Sequence, residues 1–313
     1  MNIIYGFGQW SFPQNGTAVA LGFFDGVHNG HKSLLKTLTR VARGNSLESV
    51  VYTFADHPGR VTRNEVKLLC SNRQKAGYIA ETGVSELVFD WFDESFSRIT
   101  PDEFAREILV KKLNARIVVA GDNYSFGYKG SGRSEDLIKL GEKYGFRAVI
   151  VPRLKCKFDG QKVTVSSSLL RTLVASGRMT EFRKLTGHNY TLEGTVVKGR
   201  EVGRKIGFPT ANIRPDKRSV LPEKGVYATR VRSSAFPDNE FKAITNVGSN
   251  PTFDDHTGGT TIESYLLDFK GDLYGAAIEI EMISKIRDEK RFENPDELSR
   301  QIMTDAGKRR RMK

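Results

Sequence analysis

Two histidines, His28 and His31, stand three residues apart in a glycine-rich segment, Gly22–His31. The segment follows a β-like run, Thr17–Leu21, and precedes an amphipathic helix pattern over 32–43. A turn between a strand and a helix N-terminus is favourable for a phosphate chain. Both imidazoles can point to one side of the first helical turn, where imidazolium donors would stabilise charge on an α-phosphate. A two-ligand metal site or two capping histidines would leave the glycines and the strand unexplained, so the segment predicts nucleotidyl transfer.

A second segment whose residues could take part in a reaction is 203–212. Gly203 and Gly207 surround a basic pair, which predicts a flexible cationic loop that can fold over phosphates. Thr210 and Asn212 follow with neutral oxygens of the kind that a partly hydrated Mg²⁺ prefers. From the residues alone the segment could also be an ordinary turn that leads into a strand.

Three shorter segments accompany the histidine turn. Phe54 and Pro58 could form an apolar wall for a flat ring, although a plain strand-end turn fits as well. Residues 123–127 offer an amide and an aromatic ring after a strand. The serines of 166–168 either cap a helix or hold phosphates together with the forked donors of Arg171.

The elements that must position these residues alternate between strand and helix in the first half, which predicts a doubly wound parallel sheet. Ligands of such sheets bind at the carboxyl ends of the strands, where the histidine turn falls. From residue 190 onward, short alternating runs separated by glycine-rich turns predict a small antiparallel barrel and then a helix capped by Asn294. The predicted strands of the first half are Thr17–Leu21, Ser49–Phe54, Glu86–Asp90, Arg116–Ala120 and Arg147–Val151. Its predicted helices are His31–Arg43, Asn72–Thr82, Asp102–Leu113 and Ser134–Tyr144, followed by two short closing helices at Ser166–Ala175 and Met179–Leu185. We therefore expect two domains, 1–186 and 187–313.

Composition narrows the class of protein. Hydrophobic residues make up 38% of the 313, enough for a packed core. Two cysteines, Cys70 and Cys156, without a C-x-x-C argue against a disulfide framework or a zinc site and favour a reducing cytoplasm. No apolar run reaches membrane-spanning length, and the N-terminus lacks the layout of a signal peptide. The sequence therefore predicts a cytoplasmic protein that does not bind a membrane.

The net charge of +12 is unevenly distributed. Residues 1–186 carry a net charge of +9, and residues 187–313 carry a net charge of +3. Five positively charged residues of the second half lie in the tail 308–313. A basic first half suits anionic small molecules or nucleic acid equally well. The barrel without its tail is slightly acidic and lacks an aromatic RNA-binding run, so nucleic acid is not an expected partner. The tail itself is expected to be a solvated, disordered end.

The motifs of the first half resemble the adenylyltransferase module of prokaryotic bifunctional riboflavin kinase/FAD synthetases. The family pattern G-x-F-D-G-x-H-x-G-H is present at 22–31, and F-x-P-H-P is present at 54–58 with Asp56 in place of proline. G-x-[DN]-F-x-F-G matches 121–127 with Tyr124 for the first phenylalanine, and S-S-T-x-I-R matches 166–171. A weaker match to L-T-x-x-x-E-K lies at 69–75.

The second half resembles the riboflavin kinase module of the same family, and the resemblance covers essentially the whole chain. The signature G-R-x-[LI]-G-x-P-T-A-N is intact at 203–212, and further family elements occur at 225–227, 246–253, 262–269, 273–275 and 286–292. No Walker A motif and no G-x-G-x-x-G turn is present, so protein-kinase and Rossmann interpretations lack their defining parts. The resemblance implies that Glu263 is the general base for the ribityl 5′-hydroxyl of riboflavin. Taken alone, Glu263 could equally be a solvated strand carboxylate.

The residues and the resemblance together predict the site residues. Catalytic roles are expected for Glu263, His28 and His31, and metal ligation for Thr210 and Asn212. Nucleotide or phosphate contacts are expected at Gly22, Phe24, Asp25, Gly30, Asn123, Ser167, Ser168, Arg171, Gly203, Lys205, Gly207, Pro209, Thr210 and Asn212. Flavin contacts are expected at Phe54, Pro58, Phe126, Arg287 and Phe292.

The resemblance implies a nucleotidyltransferase domain followed by a riboflavin kinase barrel, and two ATP-dependent reactions. Riboflavin would become FMN in the barrel, and FMN would become FAD with release of pyrophosphate in the first domain, with Mg²⁺ as cofactor. One alternative is that only one module is active, in which case we expect adenylyl transfer to be the activity that is lost. The other is that the chain is a basic nucleic-acid-binding protein. Self-association is left open.

Overall fold

The computed structural model describes residues 1–8, 10, 13–62, 66–199, 203, 206–249 and 260–312. They form two compact units. The first unit holds Met1–Val66 and Ser71–Ser167, and the second holds Lys67–Cys70 and Ser168–Lys313. Lys67–Cys70 joins the second unit through a β-bridge between Leu68 and Ser219. Within the described ranges, no helix is both long enough and apolar enough to cross a membrane.

The first unit is built on a six-stranded parallel sheet. The strands of this unit, in chain order, are β1 (Asn2–Tyr5), β2 (Thr17–Leu21), β3 (Glu48–Phe54), β4 (Glu86–Asp90), β5 (Ala115–Gly121), the short β6 (Ser125–Phe126) and β7 (Gly132–Arg133), β8 (Arg147–Val151), β9 (Lys155–Phe158) and β10 (Gln161–Thr164). The sheet order is β1-β4-β3-β2-β5-β8, whereas β6 pairs with β7 and β9 with β10 in separate antiparallel hairpins. Strand β2 is buried along its whole length, as a central strand covered on both faces must be.

Helices cover both faces of this sheet. They are α1 (Asn29–Gly44), α2 (Asn72–Ala80), α3 (Pro101–Glu103), which runs on as a π-helical segment (Phe104–Lys112), and α4 (Ser134–Tyr144). α1 and α2 pack with one face of β2 and β3, while the π-helical segment and α4 pack with the other. The predicted doubly wound sheet is therefore confirmed. At the end of the π-helical segment, the Leu113 amide donates a hydrogen bond to the Ile108 carbonyl, five residues back, as is typical of a π-helix.

The second unit contains a closed barrel of six antiparallel strands in the order β11-β12-β15-β14-β13-β16. The strands are β11 (Tyr190–Val197), β12 (Ala211–Pro215), β13 (Gly225–Ser233), β14 (Phe236–Ser249), β15 (Thr260–Leu266) and β16 (Ala277–Arg287). Its helices are α5 (Ser167–Ala175), α6 (Met179–Thr186) and α7 (Pro295–Arg311). As predicted, Asn294 caps α7, because its side chain accepts a hydrogen bond from the Glu297 amide, and Pro295 opens the helix.

The basic tail is not the disordered end that its charge predicts. Residues up to Arg311 belong to α7, and the side chain of Arg309 is only 1% exposed. Arg309 donates from Nε to the Thr229 carbonyl oxygen at 2.8 Å, and Lys242 donates from Nζ to the carbonyl of Arg310. The alkyl stem of a buried arginine adds packing to its hydrogen bonds, so this helix end is held against the barrel.

We expect Arg309→Leu to destabilise the second unit. The substitution leaves the carbonyl of Thr229 buried without its side-chain donor, which costs about 1–3 kcal/mol. The free energy of unfolding can be measured by urea denaturation. Arg311→Leu is the control, since Arg311 is exposed at the end of the same helix. Equal stability of the two variants would show that the tail contributes nothing to the barrel.

Candidate active sites

The histidine turn has an unusual backbone. Phe24 and Val27 adopt φ values of +56° and +30°, and Gly26 has a φ of +73°. For a phenylalanine and a valine this conformation costs roughly 1–3 kcal/mol each, and such strain concentrates at functional sites. The turn follows β2 at the carboxyl end of the sheet and is mostly buried, including Asp25.

Both histidine rings lie on the same side of the first turn of α1, as predicted. The rings stack with their centroids 3.6 Å apart and an interplanar angle of 13°. His28 is the N-cap of α1, and its Nδ1 accepts a hydrogen bond from the His31 amide at 3.1 Å. Because Nδ1 is the acceptor, the neutral ring of His28 carries its proton on Nε2. The capping role that the sequence left as an alternative is thus real for His28, and it aims an N–H donor from the other side of the ring.

Two glycines make room for this arrangement. A Cβ at Gly30 would lie 3.0 Å from the ring of His28, and a Cβ at Gly22 would lie 2.9 Å from the ring of Phe24. Any side chain at either position would press on a ring of the turn. The glycines predicted to contact phosphate therefore also set the positions of the aromatic and imidazole rings.

The charge of the two imidazoles differs from the sequence-based expectation. Burial lowers the pKa of His28 to about 4. Burial, together with the neighbouring His28 and Lys75, lowers the pKa of His31 well below its usual value. Both rings are therefore neutral at pH 7 in the ligand-free protein, whereas the sequence predicts imidazolium donors. A neutral imidazole still donates one hydrogen bond, and a phosphate beside it favours the protonated form.

The other phosphate contacts predicted in the first half of the chain differ in their positions. Ser167 donates from Oγ to the Asp25 carbonyl at 2.9 Å and so touches the histidine turn. Asn123 is exposed directly after β5. Ser168 and Arg171 fall in the second unit, where Arg171 donates from Nε to the Lys67 carbonyl at 2.7 Å.

The predicted flavin contacts of the first unit are two phenylalanines and a proline, and they differ in exposure. Phe54 is half-buried and packs edge-on against Phe92 and Phe96, with centroids 5.1 Å away in each case. Pro58 is half-buried and opens a short 3₁₀ turn. Phe126 is only 6% exposed and packs against Phe104 in the core, so its ring faces protein in this structure.

Lys75 is a residue of this region that our site prediction does not contain. It lies on α2, is 1% exposed, and places its Nζ 3.8 Å from the centroid of the Phe23 ring. The signal was its position at the end of the weak match over 69–75. Its burial depends on the packing of α2 and cannot be read from the sequence.

The site in the barrel lies across three neighbouring strands. Glu263 on β15 is the direct cross-strand partner of Asn212 on β12 and of Asn246 on β14. Residues directly opposite each other in a sheet point to the same face, with Cβ atoms roughly 5 Å apart. The neighbours of Glu263 on β15, Ile262 and Ser264, are buried on the inner face of the barrel, so the side chain of Glu263 points outward.

Asn246 joins Glu263 and Asn212 in this row, although our site prediction does not include it. It lies within the family element at 246–253, but the pairing of β14 with β15 is needed to bring it beside Glu263. Next to the row, Tyr265 packs edge-on with Phe208, with centroids 5.3 Å apart. The rings extend the same outward face of β15.

The predicted metal ligands line a cleft of about 490 Å³. Pro209, Thr210 and Asn212 form one wall, and residues 269–274 form part of another. A Cβ at Gly199 would lie 2.4 Å from Nδ2 of Asn212, so only glycine at 199 leaves this amide in place. Among the described residues, no group of three or more His, Cys, Asp and Glu side chains could hold a metal ion.

The loop before the cleft is described only in part. Gly203 accepts a hydrogen bond from the Phe208 amide at 2.7 Å, and a Cβ at 203 would lie 2.3 Å from the Phe208 carbonyl oxygen. Gly207 has a φ of +85°, which favours glycine. Both predicted glycines thus shape a tight turn. The predicted phosphate contact Lys205 lies outside the described residues.

The remaining predicted flavin residues lie where β16 ends. Arg287 pairs in the sheet with Val226 and donates from Nε to Oδ2 of the buried Asp305 at 2.8 Å. The centre of its guanidinium lies 5.7 Å from the ring centroid of Phe292. The ion pair with α7 therefore fixes the orientation of Arg287.

Comparisons with known proteins identify the family of both halves of the chain. A family model described as FAD synthetase matches residues 12–169, and one described as riboflavin kinase matches residues 186–313. A curated relative from Escherichia coli strain K12, a bifunctional riboflavin kinase/FMN adenylyltransferase, is 36% identical over 300 residues, which cover 94% of this chain and 91% of the relative. The chain belongs to the bifunctional riboflavin kinase/FMN adenylyltransferase family. Both catalytic domains are present, so this family member is an enzyme with two activities.

Other relatives of this riboflavin kinase/FMN adenylyltransferase cover similar lengths. A protein of the same description from Listeria monocytogenes is 36% identical over 290 residues, covering 92% of this chain and 89% of the relative. A crystal structure described as a macrolide-efflux protein from Streptococcus pneumoniae superposes with a TM-score of 0.86 at 30% identity and covers 99% of both chains. That description names a different activity from the two family models, but the fold is shared over the whole chain.

Proposed function

We propose that the first unit transfers AMP from ATP to FMN and that the barrel transfers the γ-phosphoryl group of ATP to riboflavin. The observation that supports the first assignment is the stacked pair of His28 and His31 at the N-terminus of α1. The second is supported by the cross-strand row in which Glu263 adjoins Asn212. The domain boundary belongs at residue 186, where the riboflavin kinase match begins.

In adenylyl transfer, an oxygen of the FMN phosphate forms a bond to the α-phosphorus of ATP. The bond from that phosphorus to the bridging oxygen of the β-phosphate breaks, and pyrophosphate leaves. The Nε2–H of His28 donates to the phosphate chain, because Nδ1 is already occupied as the helix cap. The N-terminal amides of α1 add partial positive charge. Charge stabilisation of this kind requires no covalent intermediate on the protein.

In the kinase reaction, Glu263 takes the proton of the ribityl 5′-hydroxyl as that oxygen attacks the γ-phosphorus of ATP, and ADP leaves. The half-buried carboxylate faces outward from β15, which leaves room for a substrate. Asn246 and Asn212 flank it on both sides. Their amides can hold the hydroxyl and the carboxylate in line. Phe208 and Tyr265 supply an aromatic surface beside the row.

Mg²⁺ is the proposed metal of the barrel site. The hydroxyl of Thr210 and the amide oxygen of Asn212 are hard, neutral donors on one wall of the cleft. This set suits an ion that keeps water and takes its other ligands from substrate phosphates. When bound, the ion would neutralise charge on the phosphates. The proposal also keeps the cytoplasmic location expected from the sequence, where ATP is available.

We expect Thr210→Ala and Asn212→Ala to lower FMN formation from riboflavin by roughly two orders of magnitude, because each removes one donor to the metal–ATP complex. The protein is incubated with riboflavin, ATP and Mg²⁺, and FMN and FAD are resolved by chromatography. Supplied FMN should still be converted to FAD. Thr195→Ala, an exposed position on β11, is the control. Normal FMN formation by both cleft variants would remove these residues from the metal site.

A further inference from the structure

Lys75 is a buried cation beside the histidine turn. It follows the first turn of α2, which is fixed by a capping box between Ser71 and Gln74. The side chain is 1% exposed, and its Nζ lies 3.8 Å from the centroid of Phe23 and 5.7 Å from that of Phe89. An ammonium over an aromatic face at this distance is attracted by the ring, and the attraction is stronger when the ammonium is desolvated.

The burial of this charge is costly for folding. Removing an ammonium from water is unfavourable, and an apolar side chain of similar length would fill the same space without that penalty. Methionine, for example, adapts to irregular core positions. A lysine that is buried here with its Nζ over Phe23 of the histidine turn therefore points to a role in the chemistry of that turn.

Phe23 is the residue of the histidine turn that contacts Lys75. Its carbonyl accepts a hydrogen bond from Oγ1 of Thr53 at 3.1 Å, and its ring packs edge-on with His57, with centroids 4.7 Å apart. The next residue, Phe24, packs edge-on with His31, with centroids 5.2 Å apart. A ring held between Lys75 and His57 therefore fixes the backbone that carries Phe24 under the imidazole.

We propose that Lys75 is a positioning residue for adenylyl transfer, whose buried ammonium fixes Phe23 and acts through space on the imidazole of His31. This inference rests on the proposed function of the histidine turn. The groups whose charge acts on His31 are His28 on its own helix and Lys75 on α2, and Asp25 is buried in the same turn. Nδ1 of His31 is buried and has no hydrogen-bond partner among the described residues.

The buried charge links the histidine to its ligand. Lys75 disfavours a proton on His31 in the ligand-free protein and so contributes to the low pKa of that ring. A triphosphate at the turn brings negative charge, which offsets the repulsion and is itself attracted by the ammonium. Binding of the nucleotide and proton uptake by His31 are then coupled, and each favours the other.

The test compares Lys75→Met, which keeps the length without the charge, with Lys75→Arg, which keeps the charge. Histidine titrations by NMR report the pKa of His31, and FMN and ATP supplied together report kcat/KM for FAD formation. We expect Lys75→Met to raise the pKa of His31 and to lower kcat/KM for ATP about tenfold or more, since a charge that favours the phosphates is lost. Lys75→Arg should retain the low pKa and recover most of the activity. FMN formation from riboflavin should stay within twofold.

The control is Lys36→Met, an exposed lysine on α1. An unchanged His31 titration in Lys75→Met overturns the inference, whether FAD formation is normal or reduced, because the charge would then have no effect on the histidine. His31→Ala, assayed in parallel, separates this failure from that of the proposed function. If His31→Ala formed FAD normally, the assignment of the turn itself would be wrong.

Discussion

Glu263→Gln is expected to lower kcat for riboflavin phosphorylation by about 10²–10⁴-fold, the usual contribution of a general base. Glutamine preserves the size of the side chain and its hydrogen bonding to neighbouring amides, but it cannot take the proton of the 5′-hydroxyl. The position on β15 is fixed by pairing with Asn212 and Asn246 on both sides, so the substitution should not disturb the strand. The dissociation constant for ATP should remain nearly unchanged, because we propose that the nucleotide binds at Thr210 in the cleft and not at Glu263.

The measurement separates turnover from binding. Initial rates of FMN formation give kcat, and equilibrium binding of ATP gives the dissociation constant. Glu240→Gln is the matched control, because Glu240 is an exposed strand carboxylate on β14 that pairs with Arg232. Near-normal turnover in Glu263→Gln would mean that water or a substrate phosphate takes the proton, and Glu263 would then be a structural strand residue.

Much of the first unit could be predicted because its signals are local. The apolar run Thr17–Leu21 is long enough for a strand and too short for most helices, and the structure has a strand with the same bounds. Ser134–Tyr144 likewise begins and ends where its periodicity predicts. The edge strand β1 and the β9–β10 hairpin were not predicted, since short, half-exposed strands leave a weak pattern.

The parts that could not be predicted depend on contacts between distant residues. The charges of the tail predict a solvated end, yet Arg309 is buried because the carbonyl of Thr229, 80 residues away, accepts its hydrogen bond. Asn246 comes to lie opposite Glu263 only through the register of β14 and β15. The type of a residue and its spacing from its neighbours do not specify which residue of another strand lies opposite it.

The charge state of the histidines also depends on contacts that the sequence does not reveal. Their spacing correctly predicts that both rings face one side of the turn. Their protonation depends on burial and on Lys75, which the spacing does not contain. The neutral rings imply that each imidazole can donate one hydrogen bond at pH 7.

Removal of either imidazole is expected to lower FAD formation by roughly two orders of magnitude or more, the scale for loss of a donor that stabilises a transition state. His28→Ala also removes the cap of α1, which costs about 1 kcal/mol of helix stability. His28→Asn is therefore the sharper variant, because asparagine caps helices well but cannot place an N–H where Nε2 lies. We expect His28→Asn to melt near the wild-type temperature, to form FMN from riboflavin normally, and to convert supplied FMN to FAD as poorly as His31→Ala. If FMN and FAD formation fell together in these variants, the two activities would not reside in separate units, and the assignment of adenylyl transfer to the histidine turn would be wrong.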